Sequence, residues 1–183
     1  MSATATALGR PDILVRAAAD ADMARIQAIY AHHVTTGLGS FEEMAPPLGE
    51  MLRRRAEILA RDLPYIVAEA GGQILGYAYA GPFRPRTAYR FSVEDSIYVA
   101  PEAMRRGVGG LLLGELIQRC SAIGMRQMLA VIGDSANLAS IRVHAAHGFV
   151  DAGRLLAVGF KFGRWVDSVI MQRALGPGST TLP

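Results

Sequence analysis

Cysteine, lysine and tryptophan each occur once among 183 residues, and the scarcity of the first two excludes whole classes of chemistry. A lone thiol, Cys120, allows neither an internal disulfide nor a multi-cysteine metal site, which fits a reducing compartment and makes the cytoplasm the expected location. Cys120 itself falls on the apolar stripe of a helix and reads as a small buried hydrophobe. The basic residues are otherwise arginines, most of them scattered singly, and only Arg53-Arg54-Arg55 forms a run; the net charge is +3. On a helix those three point in different directions, so no clustered basic face with interleaved aromatics marks a nucleic-acid binder. An anionic small-molecule ligand explains the balance equally well. His32-His33 precede a loop with no third ligand spaced to join them, so no metal is expected. No apolar run approaches the roughly 20 residues that span a bilayer, so no membrane partner is expected. The opening, Met1 to Asp12, has no basic start followed by an apolar segment and is expected to be a flexible arm rather than a secretory signal.

Hydrophobic residues make up 51% of the chain and charged residues 19%, a balance that argues for a folded core. A chain of this length normally buries about two-thirds of its unfolded surface, and one domain over 13–175 is expected, followed by a flexible tail over 176–183. Ile13 to Arg16 reads as a strand. Asp20 or Asp22 then caps a helix on which Met23, Ile26, Tyr30 and Val34 recur at helical spacing, ended by Gly37 and Gly39. Pro46-Pro47 open a second helix from Leu48 to about Arg61, which Pro64 closes. Tyr65 to Glu69 and Gln73 to Ala80, joined by Gly71-Gly72, form a hairpin. Helices over Gly107 to about Ile123, buried through Val108, Leu112, Leu116, Cys120 and Ile123, and over about Ala136 to Ala146 alternate with strands over Met128 to Ile132, Val150 to Val158 and Trp165 to Arg173. The last two strands frame a loop.

The most informative stretch is the strand Phe91 to Val99 and the turn Met104-Arg105-Arg106-Gly107-Val108-Gly109-Gly110 that follows it. Alternation places Ser92, Glu94, Ser96 and Tyr98 on one face and Phe91, Val93, Asp95, Ile97 and Val99 on the other. Asp95 is the odd member of the apolar face, explained either by a surface position or by a bulge. The three glycines open a helix, where uncovered N–H groups and the helix dipole can hold a pyrophosphate, with Arg105 and Arg106 adding charge-assisted contacts. A dinucleotide fold would place such a turn after its first strand, and a nucleotide P-loop would end in Lys-Ser/Thr; neither pattern is present.

This strand, turn and helix resemble the acetyl-CoA signature of the GNAT acyltransferase superfamily. Asn137, Ser140 and His144, which share a helix face, resemble that family's second cofactor helix. From about Ile13 to Arg173 the chain is most similar to phosphinothricin acetyltransferases and methionine sulfoximine/sulfone acetyltransferases. The shared segments are Tyr79 to Tyr89, Val93-Glu94-x-Ser96-x-Tyr98-Val99, Ile141 to His144 with Gly148-Phe149, and Gly159-x-Lys161-x-Gly163-x-Trp165-x-Asp167. The resemblance implies an α/β (α+β) fold of GNAT type, with a central mixed twisted sheet of about 6–7 strands flanked by about 4 helices. It implies acetyl-CoA as co-substrate, no metal, and a homodimer. The cofactor would lie against Ile97, Tyr98, Val99, Arg105, Arg106, Gly107, Val108, Gly109, Gly110, Asn137 and Ser140. Met104 departs from the Gln or Arg that usually begins the turn, with a modest effect on affinity expected.

Acetyl transfer to an amine requires the amine to lose a proton, and Glu94 is the base the resemblance implies; from the residues alone it reads as a strand carboxylate in an ion pair. His144 or Tyr98 would protonate the departing thiolate unless it leaves directly, and a backbone N–H near Val99 would support the oxyanion. Arg84 and Arg86 offer two forks for an anionic acceptor, with Tyr89 adding a hydroxyl. Phe41 and Trp165 either wall the acceptor pocket or pack at a subunit contact. The expected function is N-acetylation of a small amino-acid-like acceptor. Another amine acceptor, such as a polyamine, aminoglycoside or protein N-terminus, and a non-catalytic acyl-CoA-binding module are the alternatives.

Overall fold

The computed structural model describes residues 12–183. The arm expected over 1–12 therefore lies, apart from Asp12, outside the described residues. Seven strands form: β1 (Leu14–Ala17), β2 (Tyr65–Ala70), β3 (Gln73–Pro82), β4 (Ser92–Val99), β5 (Gln127–Gly133), β6 (Val150–Lys161) and β7 (Arg164–Ala174). Four α-helices accompany them: α1 (Met23–Thr36), α2 (Leu48–Leu59), α3 (Val108–Ala122) and α4 (Leu138–Ala146). The strands make one mixed sheet in the order β1-β2-β3-β4-β5-β7-β6, antiparallel throughout except between β4 and β5. Among the described residues no helix is long and apolar enough to cross a membrane.

Local chemistry accounts for the elements. Gly71 and Gly72 both take positive φ, 56° and 76°, which two-residue hairpins of the favoured twist require, and they join β2 to β3. Met23, Ile26, Ile29, Tyr30 and Val34 form the buried stripe of α1. Its start is secured by Asp22, whose carboxylate accepts from the Ala19 amide at 2.7 Å and from both terminal nitrogens of Arg16. Tyr65 to Ala68 are buried at four successive positions of β2, because helices cover both faces of the sheet there. Of the three arginines of the basic run, Arg55 turns away to Asp20, while Arg53 and Arg54 share Glu50 and Arg54 also reaches Glu42.

Two expectations change. Ile123 is 44% exposed, since α3 ends at Ala122 and Leu113 and Ile117 take its place on the buried stripe. The loop expected between the last strands is a tight turn at Phe162-Gly163, both at positive φ, so β6 runs on to Lys161. Within β6 the register with β7 shifts between Leu155 and Gly159, and Asp167 secures the irregularity by accepting from the Ala157 amide at 2.9 Å. Beyond β7 the Arg126 guanidinium donates to Gly178, Thr181 and Leu182.

The feature that positions a site is the incomplete pairing of β4 with β5. They pair only from Ser92↔Gln127 to Asp95↔Ala130. Beyond that point β4 follows β3 up to Val99, while β5 follows β7 up to Gly133, and the two diverge.

Candidate active site

The divergence of β4 and β5 leaves backbone groups facing a gap. The Ala100 amide donates to Leu75 and the Phe83 amide to Ser92, so the even-numbered residues of β4 exchange hydrogen bonds with β3. The odd-numbered residues therefore turn their amides toward β5. Asp95 still finds β5, but Ile97 and Val99 lie beyond the paired segment. Val99's carbonyl accepts a hydrogen bond from Nε2–H of His33, at 2.8 Å, across from α1. The amides of Ile97 and Val99 face the gap.

The side chains of β4 alternate across the sheet. Tyr98 packs against Tyr30, His33 and Tyr77 beside α1, while Asp95 reaches His144 of α4. A cavity of about 410 Å³ runs through the gap and draws its walls from both sides. His33, Phe41, Tyr79, Glu94 and Tyr98 line one end, and Ile97, Asn137, Ser140 and His144 the other.

Within this cavity Glu94 is half-buried, and burial first, then the neighbouring Asp95 charge, push its carboxyl above the usual range, with Arg84 opposing. Burial holds the Tyr98 hydroxyl well above its ordinary value, so it stays protonated. His33 is pulled down by burial. Asn137 sits at the N-cap of α4 and accepts from the Ser140 amide at 3.3 Å, which fixes the helix start at the cavity edge. His144 has both ring nitrogens engaged, Nδ1 with the Ser140 carbonyl at 2.8 Å and Nε2 with Asp95 at 2.9 Å.

The glycine turn adjoins the gap. Arg105 at φ 61° and Gly107 at φ 84° curl the chain into α3. Among the described residues, no backbone carbonyl accepts from any amide between Arg105 and Gly110; the first bond is from Leu111 to Gly107, at 3.1 Å. Free amides on a left-handed turn ahead of a helix make an anion-binding concavity. Arg105 and Arg106 are exposed beside it.

The structure thus brings together Glu94, Tyr98, Ile97, Phe41, Asn137, Ser140 and His144, with Val99 and the Arg105–Gly110 turn next to them. Arg84, Arg86 and Tyr89 are placed differently. They line a second hollow of about 560 Å³ together with Arg61, Arg90, Val93 and Met125, at the end of β4 where Glu94 also stands. Trp165 lines neither hollow. It is 66% exposed and packs edge-on against Phe160, 5.2 Å away. No group of three or more His, Cys, Asp or Glu side chains gathers among the described residues, and His32-His33 are no exception.

Two functional positions escaped the sequence. Asp95 is neither at the surface nor at a bulge; it is 7% exposed in an unbroken register with β3 and bonds to His144. The signal was its place on an apolar strand face, which needed a partner. Lys161 is 2% exposed, and its ammonium donates to the carbonyls of Gly37 at 3.0 Å and Ser40 at 2.7 Å, so it anchors the loop that carries Phe41. The hints were its being the chain's single lysine and its place in the segment Gly159 to Asp167.

Comparison with known proteins agrees with this geometry. Residues 26–149 match the Acetyltransferase (GNAT) family. The chain is 56% identical over 176 residues, 96% of its length and 89% of the relative's, to a phosphinothricin N-acetyltransferase of Alcaligenes faecalis. It is 40% identical over 167 residues, 89% of its length and 95% of the relative's, to an L-methionine sulfoximine/L-methionine sulfone acetyltransferase of Pseudomonas paraeruginosa. A crystal structure of a GNAT superfamily phosphinothricin acetyltransferase from Sinorhizobium meliloti in complex with AcCoA superposes with a TM-score of 0.91 at 48% identity, covering 93% of this chain and 92% of that one.

Proposed function

Because the chain belongs to the acetyltransferase (GNAT) family, we propose that it transfers the acetyl group of acetyl-CoA to the amine of a small amino-acid-like acceptor of the phosphinothricin, methionine sulfoximine or methionine sulfone kind. The observation that carries this reading is the cavity through the sheet, with a carboxylate of raised pKa at one end and an anion-binding turn beside the other.

The residues present fit acetyl-CoA. Its pyrophosphate would meet the free amides from Arg105 to Gly110 and the Arg105 and Arg106 side chains, and its pantetheine arm the exposed edge at Ile97 and Val99. Asn137 and Ser140 flank that arm. Once bound, acetyl-CoA supplies an activated carbonyl carbon to an incoming amine.

Glu94 takes the proton from the acceptor's ammonium, directly or through a water. Its raised pKa makes it a better base. The Ile97 and Val99 amides are aimed where negative charge grows on the carbonyl oxygen. Tyr98, protonated on the same wall, gives a proton to the departing sulfur. His144 holds α4 in place, since neither of its nitrogens is free to donate. Arg84, Arg86 and Tyr89 hold the acceptor's anionic group from the adjoining hollow, and the Arg84 charge is felt at Glu94. Phe41 forms the acceptor wall.

The outermost hairpin supports a homodimer. Leu155, Leu156, Val158, Phe160 and Trp165 are all at least half exposed along β6 and the start of β7, an apolar surface that monomers seldom leave bare. The unpaired Cys120 supports a cytoplasmic location.

Thiol release from acetyl-CoA, measured with phosphinothricin, methionine sulfoximine, methionine sulfone, ordinary amino acids and polyamines, tests the proposal. The sulfoximine, sulfone or phosphinate acceptors should lead the panel, and Glu94→Gln should lower kcat by about 10²–10⁴-fold. Silence with every amine, or unchanged turnover in Glu94→Gln, would refute it.

A further inference from the structure

The reaction leaves Asp95 without a task, yet it is among the most enclosed charged groups in the fold. The hydrogen bonds around it constrain its chemistry. The Ser140 carbonyl can only accept, so Nδ1 of His144 carries a proton. The bond from Nε2 to Oδ2 of Asp95 needs one more, held by the imidazole or by the carboxyl. In either arrangement the pair is neutral overall. Its side chains are 5% and 3% exposed, and Oδ1 of Asp95 is buried with no partner among the described residues. A charge on either residue alone would be stranded in the core. Mechanically, the bond joins α4 to β4, which carries the base and the two gap-facing amides.

We propose that Asp95 is a positioning residue for acetyl transfer: through His144 it locks α4, with Asn137 and Ser140 at its start, onto β4, and it keeps a buried carboxylate directly behind Glu94. The inference rests on Glu94 acting as the base. Burial pulls the His144 imidazole down, but the bond and charge of Asp95 and the Ser140 carbonyl outweigh it and raise its pKa. The surroundings are sparse in other charges. On this side of the sheet the pair meets Cys120 of α3, whose thiol burial pushes up to about 12, and the ring of Phe149 at 5.0 Å. On the other side Glu94 shares its cavity with Tyr79 of β3, His33 of α1 and Tyr98 of its own strand, and feels Arg84 from the adjoining hollow. From β5 only Ala130, Val131, Ile132 and Gly133 approach, and from β7 the hydroxyl-bearing Ser168.

Asp95→Asn separates the two parts of the proposal, because the asparagine amide can donate to Nε2 of a neutral imidazole and keep the bond while the mobile proton is gone. The acidic limb of kcat/KM should move to lower pH, since the end of the pair beside Glu94 is the one that is negative when the shared proton lies on His144, and asparagine removes it. The His144 ring nitrogens, followed by ¹⁵N NMR, should titrate at lower pH than in the parent protein, and KM for acetyl-CoA should stay within about threefold. Asp95→Ala breaks the bond as well, and should raise KM for acetyl-CoA and lower kcat by about tenfold or more, a loss that Asp95→Asn largely rescues. An acidic limb and a His144 titration both unmoved in Asp95→Asn would overturn the proposal, as would full activity in Asp95→Ala. If Asp95→Ala does not fold, the Asp95→Asn measurements decide alone. Failure of the base assignment would show separately, as unchanged turnover in Glu94→Gln, while the His144 titration continues to report on Asp95.

Discussion

Gly159 lies so close to Phe41 that a methyl group on its α-carbon would stand 2.5 Å from Cε2 of the ring. The contact joins a late strand to the loop after α1, and Phe41 forms part of the cavity wall. Gly159→Ala should displace a ring that is 40% exposed and free to swing, so stability changes little while KM for the acceptor rises. Gly133 gives the contrasting case, since its added methyl would meet the Leu38 carbonyl at 2.1 Å, and backbone cannot swing aside. Gly133→Ala should cost about 1–3 kcal/mol, a fall in Tm of about 2–12 °C for a chain of this length. Thermal melts paired with acceptor kinetics distinguish the two; equal loss of stability in both would show that Phe41 is not the mobile partner.

As the proposed base, Glu94 should set the acidic limb of the pH profile. A base works when deprotonated, so kcat/KM should rise with pH through the folded pKa of Glu94, which burial and Asp95 hold above the ordinary 4.5. Arg84 pulls the other way. Arg84→Met should therefore move the limb to still higher pH and also raise KM for an anionic acceptor. A limb that stays put would separate Arg84 from the base.

How far such residues were visible before folding depends on whether their neighbours are near in sequence. The hairpin at Gly71-Gly72, the α1 stripe and the glycine turn follow from local periodicity and backbone freedom, and the structure keeps them. Asp95 and Lys161 did not reveal their roles, because their partners lie 49 and 121 or more residues away and no local pattern encodes that distance. Arg84 and Arg86 were readable as an anion-binding loop, but not as the lining of a separate hollow, since that follows from where β3 ends against β4.

Gly107 tests the anion-binding turn. Its φ of 84° is a region that an L side chain enters only at a cost of about 1 kcal/mol or more, and the neighbouring amides keep their direction only while that angle holds. Gly107→Ala should raise KM for acetyl-CoA by about tenfold with kcat little changed, because uniform binding is what the turn provides. Isothermal titration with coenzyme A checks the same loss without turnover.

Asp22 governs acid stability at the first helix. Its hydrogen bonds from Arg16 hold its pKa below the usual 3.8 against the opposing effect of burial, with the Ala19 amide adding to the depression. For a depressed carboxylate the stabilisation is complete above the unfolded value and is lost as pH falls through the folded one. Asp22→Asn should cost about 1–2 kcal/mol near neutrality, and the difference from the parent protein should shrink below about pH 4. Urea midpoints followed from pH 7 downward measure it, and a gap that does not shrink at all below about pH 4 would assign the effect to packing.

Lys161 carries the last prediction. Its ammonium is buried, and burial lowers its pKa while Glu43 and Glu42 work to restore it. It nevertheless supplies the bonds that Gly37 and Ser40 accept at the end of α1, so the loop bearing Phe41 is fixed by one side chain from the opposite end of the sequence. Ser40 is itself tied to Tyr30 at 3.0 Å, and Tyr30 donates to Glu42 at 2.9 Å, which extends the anchor along the loop. Lys161→Met keeps the length of the side chain but leaves two carbonyls without donors, at a cost of about 2–4 kcal/mol. Because the loop and not the cofactor turn loses its support, KM for the acceptor should rise while KM for acetyl-CoA holds. Equal effects on both would mean that Lys161 supports the whole cavity through the β6–β7 hairpin.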